Sequence, residues 1–254
     1  MLIIAHRGAS QFLPDNTILS FDQAIAEKAD MIECDVRQTS DGRLVLFHDK
    51  YIYNRPGQFD QFGASRMVSH FSYDELASYG IYNGFSVLTF EEMLERYAGR
   101  IDLNIEIKDS GFEREVVNLV KQYGISGSVV LSSFMPWVMR KINSLDSSLK
   151  TGWIVGREQA FKVNHLGRML LGRIFKATGA SSAHLHYEMV IPEIIELFHE
   201  RDIPVYTWTV NSEEQMKYLI KLGVDGIITN KPGVLYKVVN DEAVFDEPDR
   251  AIYT

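Results

Sequence analysis

One cysteine, Cys34, occurs in the 254 residues, so neither an internal disulfide nor a cysteine zinc site can be built. No apolar run approaches the roughly 20 residues that span a bilayer, which argues against stable membrane insertion. Neither a basic stretch nor an apolar core precedes His6, so no signal peptide is read and a cytoplasmic location is expected. Positive charge is also scarce: 26 Lys and Arg against 34 Asp and Glu leave a formal charge of −8. Such a chain lacks the broad cationic face that grips nucleic-acid phosphates. A small phosphorylated ligand stays open, because a few local cations override a distant net charge.

Apolar residues make up 46% and charged residues 24%, which excludes a disordered or collagen-like chain. Short β-rich runs alternate with helical patterns. Strands are expected at Leu2–Ala5, Met31–Asp35, Asp102–Ile107, Val129–Ser132, Thr151–Ile154, Ala183–His186, Val205–Trp208 and Gly226–Thr229, with an accessory strand at Leu44–Phe47. Helices are expected at Thr17–Lys28, Thr89–Tyr97, Arg114–Tyr123, Pro136–Leu145, in a long stretch to about Lys176, at Pro192–Glu200 and Ser212–Leu222, and in a short run from Pro232. Thr89 with Glu92, and Ser212 with Gln215, have the spacing of capping boxes. Eight β/α units without a linker fit one closed α/β barrel, a (β/α)8 TIM barrel over residues 1–254.

Residues 49–86 interrupt this rhythm between the second strand and its helix. They hold nine aromatics, from Tyr51 through Tyr53, Phe59 and Phe62 to Phe85, and a helix start at Ser72 with Glu75. A self-packed cover on the barrel rim and a lid over a site are equally compatible with such an insertion. Between Gln159 and Tyr187 no acidic residue occurs, while Lys162, Arg168, Arg173 and Lys176 interleave with Val163, Leu166 and Leu171. An outer barrel helix with a basic exposed side is preferred there over a helix lying on a membrane.

A barrel presents its site at the C-terminal ends of its strands. His6 and Arg7, Glu33 and Asp35, His48, Glu106 and Lys108, and Trp208 and Asn211 all fall at such ends. Side chains alternate along a strand, so Glu33 and Asp35 point one way while Ile32 and Cys34 point the other. The same alternation sets Glu106 and Lys108 against Ile105 and Ile107. Cys34 is accordingly read as a small buried apolar residue. Three carboxylates converging on one mouth repel each other, and oxygen ligands suit one hard divalent cation, Mg²⁺ or Ca²⁺. Pairing with Arg or Lys is the competing explanation. His6 and His48 have the unperturbed pKa for proton transfer near neutrality. Arg7 and Lys108 are cations suited to a phosphate. His70, His165, His184, His186 and His199 are assigned to structure or to the rim.

At these residues the sequence resembles the glycerophosphodiester phosphodiesterase family. The likeness runs in order through Ala5-His6-Arg7-Gly8-Ala9-Ser10, Leu13-Pro14-Asp15-Asn16-Thr17, Met31-Ile32-Glu33-Cys34-Asp35-Val36, Leu46-Phe47-His48-Asp49, Asn104-Ile105-Glu106-Ile107-Lys108, Tyr206-Thr207-Trp208-Thr209-Val210-Asn211 and Gly226-Ile227-Ile228-Thr229-Asn230. It implies a (β/α)8 barrel that hydrolyses glycerophosphodiesters to sn-glycerol 3-phosphate and an alcohol. It implies metal ligands at Glu33, Asp35 and Glu106, and an acid/base pair at His6 and His48. Arg7, Lys108 and Trp208 are then candidates for substrate binding, Trp208 by packing on glycerol carbons or, equally, as barrel core. Asp15 stands where the family usually has Glu, and Asn230 where Asp is common; both are read as lying outside the catalytic set. A phospholipase D-like hydrolase of lysophospholipids or sphingolipids, and a non-catalytic phosphate-binding barrel, are the alternatives.

Overall fold

The computed structural model describes residues 1–52, 66–157 and 165–245. In chain order the elements are β1 (Leu2–His6), α1 (Ile18–Ala26), β2 (Met31–Gln38), β3 (Leu44–Leu46), β4 (Tyr51–Ile52), β5 (Arg66–Met67), α2 (Tyr73–Tyr82), α3 (Phe90–Tyr97), β6 (Asp102–Ile107), α4 (Glu113–Gln122) and β7 (Val129–Ser133). There follow α5 (Pro136–Leu145), β8 (Lys150–Val155), α6 (His165–Thr178), β9 (Ser182–His186), α7 (Pro192–His199), β10 (Val205–Trp208), α8 (Glu213–Leu222), β11 (Gly226–Thr229) and α9 (Pro232–Phe245).

Eight parallel strands, β1, β2 and β6 to β11, form a barrel that closes because β1 pairs with both β11 and β2. The accessory strand β3 runs antiparallel on the far end of β2, with Val36 beside Leu46. The register that matters most sets His6 beside Glu33, and Asp35 beside Glu106. Strand alternation divides the apolar residues. Ile32, Cys34 and Val36 of β2 pack outward with Phe21, Phe90 and Leu94 of the helix layer. Ile4, Met31, Val130, Tyr206 and Ile228 fill the barrel interior. The polar inward positions of the same strands lie toward the C-terminal end, where they meet the mouth.

Local chemistry fixes the helix starts. Thr17 and Ser20, Ser72 and Glu75, and Thr89 and Glu92 form reciprocal capping boxes. The expected box at Ser212 is not made. Ser212 takes the N-cap position of α8 without a side-chain bond, and acidic Glu213 and Glu214 in the first turn complement the helix dipole instead. The last helix is also longer than the short run expected, reaching Phe245.

The insertion contributes α2 and the small β4–β5 sheet. Its described part is self-packed: Ile52, Val68, Phe71 and Leu76 join Val45 and Val87 in a separate apolar cluster. Tyr53, Phe59 and Phe62, like Lys162 and Val163 of the basic segment, lie outside the described residues. Helix α6 behaves as an outer barrel helix. Leu171 and Phe175 are buried against the barrel, while Arg173 and Lys176 are exposed. Among the described residues no helix is long and apolar enough to cross a membrane.

Candidate active site

The turn after β1 delivers the first two candidates. Gly8 has φ +85°, and a Cβ there would lie 2.5 Å from the Ser20 carbonyl carbon, so only glycine fits against α1. Ser20 Oγ also donates to the Arg7 carbonyl at 2.9 Å. Held this way, the Arg7 amide donates to Glu33 Oε2 at 3.0 Å. The Arg7 guanidinium sets Nε 2.9 Å from Asp35 Oδ2 and Nη1 3.0 Å from Asp15 Oδ2.

Oxygens of Glu33, Asp35 and Glu106 come within 4.8 Å of one another, and all three residues are buried. The two cations enter the same cluster. Lys108 Nζ lies 2.7 Å from Glu106 Oε1 and 3.3 Å from Asp35 Oδ1. Three carboxylates thus face two cations, which leaves the cluster short of positive charge. Asp35 Oδ1 and Glu106 Oε1 make no aligned hydrogen bond among the described residues. The donor set is all oxygen, tightly convergent and under-neutralised, which fits a hard divalent cation.

The electrostatics follow. Burial, then the charges of Asp35 and Glu106, push the Glu33 carboxyl well above the usual range. Burial also raises Glu106, more than Lys108 lowers it. Asp35 is the exception: burial raises it, but Lys108 and Arg7, with help from His48 and Asn16, hold it well below the ordinary value. Asn16 is the reason Asp35 is so fixed. Its Nδ2 donates to Asp35 Oδ2 at 2.9 Å, and its Oδ1 accepts from the Asp35 amide at 3.2 Å.

Both histidines reach the mouth, and each has a partner. His6 Nδ1 is 2.6 Å from Asn230 Oδ1. Asn211 Oδ1 in turn accepts from the Asn230 amide at 2.8 Å. Burial, then Arg7, lower the His6 pKa to about 4. His48 Nδ1 is 2.8 Å from Asp49 Oδ1, and burial lowers its pKa from the ordinary value. The His48 carbonyl is gripped by buried Arg37, whose Nε and Nη2 donate at 3.0 and 2.7 Å while Nη1 pairs with Asp109. Trp208 stands edge-on to Phe134 and to His186, with centroids at 5.5 and 5.3 Å.

A cavity of about 110 Å³ collects these groups. It is lined by His6, Arg7, Glu33, His48, Glu106, Lys108 and Trp208, while Asp35 lies behind Arg7 and Lys108. Asp15 and Asn230, read as outside the catalytic set, touch Arg7 and His6 directly. His184, assigned to structure or rim, lines the cavity. Sequence reading also missed Asn16 and Arg37. Asn16 gave no usable signal, because its φ of 56°, a conformation that asparagine tolerates, is visible only in the fold. Arg37 gave none either, because an arginine in a strand reads as a solvent-facing residue.

The glycerophosphoryl diester phosphodiesterase family profile matches residues 6–234. A glycerophosphodiester phosphodiesterase of Caldanaerobacter subterraneus subsp. tengcongensis is 32% identical over 251 residues, spanning 94% of this chain and 97% of that protein. A solved glycerophosphodiester phosphodiesterase from Thermotoga maritima superposes with a TM-score of 0.75 at 23% identity, covering 94% of this chain and 98% of that one. An Oleispira antarctica phosphodiesterase, solved in complex with the product sn-glycerol-3-phosphate, gives 0.74 at 21% identity, over 93% and 96% of the two chains. At these identities the solved structures establish the fold.

Proposed function

Because the chain belongs to the glycerophosphoryl diester phosphodiesterase family, we propose that it hydrolyses glycerophosphodiesters to sn-glycerol 3-phosphate and an alcohol. The observation that carries this reading is the cavity in which two histidines and two cations meet a carboxylate triad. Glu33, Asp35 and Glu106 are the residues that would hold one divalent cation, Mg²⁺ or Ca²⁺. When bound, such an ion supplies Lewis-acid stabilisation of the phosphoryl oxygens.

The chain's own groups do the rest. A phosphodiester anion repels nucleophiles, so the positive charge of Arg7 and Lys108 draws it in and offsets the charge that grows on its oxygens. The two histidines are held differently, and that divides the proton work. Asn230 Oδ1 can only accept, so His6 keeps its proton on Nδ1 and offers an Nε2 lone pair. With its pKa lowered to about 4, His6 is neutral at pH 7 and suited to take a proton from the attacking hydroxyl. The Asp49 carboxylate orients the His48 ring and offsets part of the burial that lowers its pKa, and His48 is the group placed to protonate the departing alkoxide. Trp208 walls the pocket on the side of Phe134 and offers an apolar face to substrate carbons.

The test is a screen of glycerophosphocholine, glycerophosphoethanolamine and lysophosphatidylcholine with Mg²⁺ or Ca²⁺, assayed for sn-glycerol 3-phosphate from the two deacylated diesters and for choline from lysophosphatidylcholine. Release from the two deacylated diesters is expected. Turnover of lysophosphatidylcholine alone would move the protein to the phospholipase D-like class, and binding without turnover would make it a ligand-binding barrel.

A further inference from the structure

One side chain in the cavity takes no part in the proton transfers. His184 lies on β9, beside Ile154 of β8 and Tyr206 of β10, and is fully buried. It lines the cavity that His6, His48 and Lys108 line.

Its ring is held on two sides. Nε2 lies 2.9 Å from Ser182 Oγ, and the Tyr206 ring is 5.0 Å away between centroids. A Cβ on Gly152 would fall 2.4 Å from Nε2, so only glycine leaves the ring its place. Ser182 Oγ also reaches the Thr151 carbonyl at 3.4 Å, and with its hydroxyl turned there its lone pairs face Nε2–H. Nδ1 is then a bare acceptor. It is buried and has no hydrogen-bond partner among the described residues. Burial lowers the His184 pKa to about 3, so the ring stays neutral and Nδ1 keeps its lone pair. A buried acceptor left unmet is destabilising, and a ligand donor would offset that cost.

The layering of the barrel says which donor. Arg7 and Lys108 follow the last residues of β1 and β6, whereas His184 sits two residues inside the end of β9. A phosphate held by the two cations therefore sends one ester arm toward solvent and the other inward. The inward arm must be the constant one, because a closed floor cannot accommodate varied alcohols. On glycerol, the hydroxyl farthest from the phosphate reaches deepest. We propose that His184 Nδ1 accepts a hydrogen bond from the terminal glycerol hydroxyl and so sets the preference for glyceryl diesters. This specificity role rests on the phosphodiesterase reading above.

Two p-nitrophenyl phosphodiesters test it, the glyceryl ester and the 2-hydroxypropyl ester. They share the leaving group and the hydroxyl next to the ester carbon, and differ only in the terminal hydroxyl. The wild-type protein is expected to favour the glyceryl ester in kcat/KM by at least about ten-fold, because a site that bonds a substrate hydroxyl rejects the analogue lacking it. In His184→Leu that ratio falls toward one. His184→Asn, which keeps an acceptor near the Nδ1 position, recovers most of it. An unchanged ratio in a folded His184→Leu protein overturns the assignment, as does an equal loss on both esters. Should His184→Leu not fold, Ser182→Ala decides: a reduced ratio supports the role and an unchanged ratio overturns it. Failure of the phosphodiesterase reading would look different, since the wild-type protein would then turn over neither ester.

Discussion

At the scale of the residue, the site is a set of charges each pinned by a neutral or opposite partner. His6 is held by an amide from 224 residues later in the chain, and Asp35 by one from 19 residues earlier. His6→Ala and His48→Ala should each lower kcat by about 10²–10⁴-fold, the usual worth of a positioned acid or base, with the circular dichroism spectrum unchanged. Arg37 offers a subtler case. A lysine cannot reproduce its two-pronged grip on the His48 carbonyl. Arg37→Lys should lower kcat about ten-fold with little change in KM, a split that steady-state kinetics reads directly. The eight candidate residues were legible because strand alternation and the C-terminal ends of strands are sequence properties. Their partners were not. Asn16, Arg37 and His184 act through contacts made across the barrel, and nothing local in the sequence distinguishes a buried strand histidine with a free acceptor from one that only packs.

At the scale of the element, capping chemistry decided where helices begin, and it was readable where two side chains answered each other. Thr89 Oγ1 accepts from the Glu92 amide at 3.1 Å, and the Thr89 amide donates to Glu92 Oε2 at 2.8 Å. Ser212 has the same spacing from Gln215 and makes neither bond. Thr89→Ala should therefore destabilise the fold by about 1 kcal/mol, whereas Ser212→Ala should change stability by no more than a few tenths. Urea denaturation midpoints of the two variants check this pair. Spacing identifies a candidate box, but whether the hydroxyl turns inward depends on the loop that precedes it. The same limit applied to the insertion. Its aromatic richness was visible, while its clustering beneath β3 into a separate small core depended on tertiary packing.

At the scale of the whole molecule, closure of the barrel brings polar groups from several strands to one end and buries some of them neutral. His184 and His6 titrate at about 3 and about 4 in the fold, against an ordinary 6.5. The unfolded chain therefore binds more protons than the native one as pH falls below about 6.5, so stability drops toward acid. Each group contributes a slope of up to about 1.4 kcal/mol per pH unit in that window. Urea midpoints measured between pH 7.5 and pH 5 should fall less steeply for His184→Asn than for the wild-type chain. An identical slope would mean that His184 takes up its proton in the native state as readily as in the unfolded chain.

The barrel order was legible from eight alternating units, and the net charge of −8 gained a local meaning once three buried carboxylates were found together. The central claim is that this triad holds a divalent cation at a phosphodiesterase centre. Its most direct test is sn-glycerol 3-phosphate release from glycerophosphocholine by chelated protein, before and after Mg²⁺ or Ca²⁺ is restored. The account predicts negligible release without the cation, recovery on its addition, and no recovery in Glu33→Gln or Glu106→Gln. Full activity in the chelated protein, or normal recovery in both variants, would contradict it.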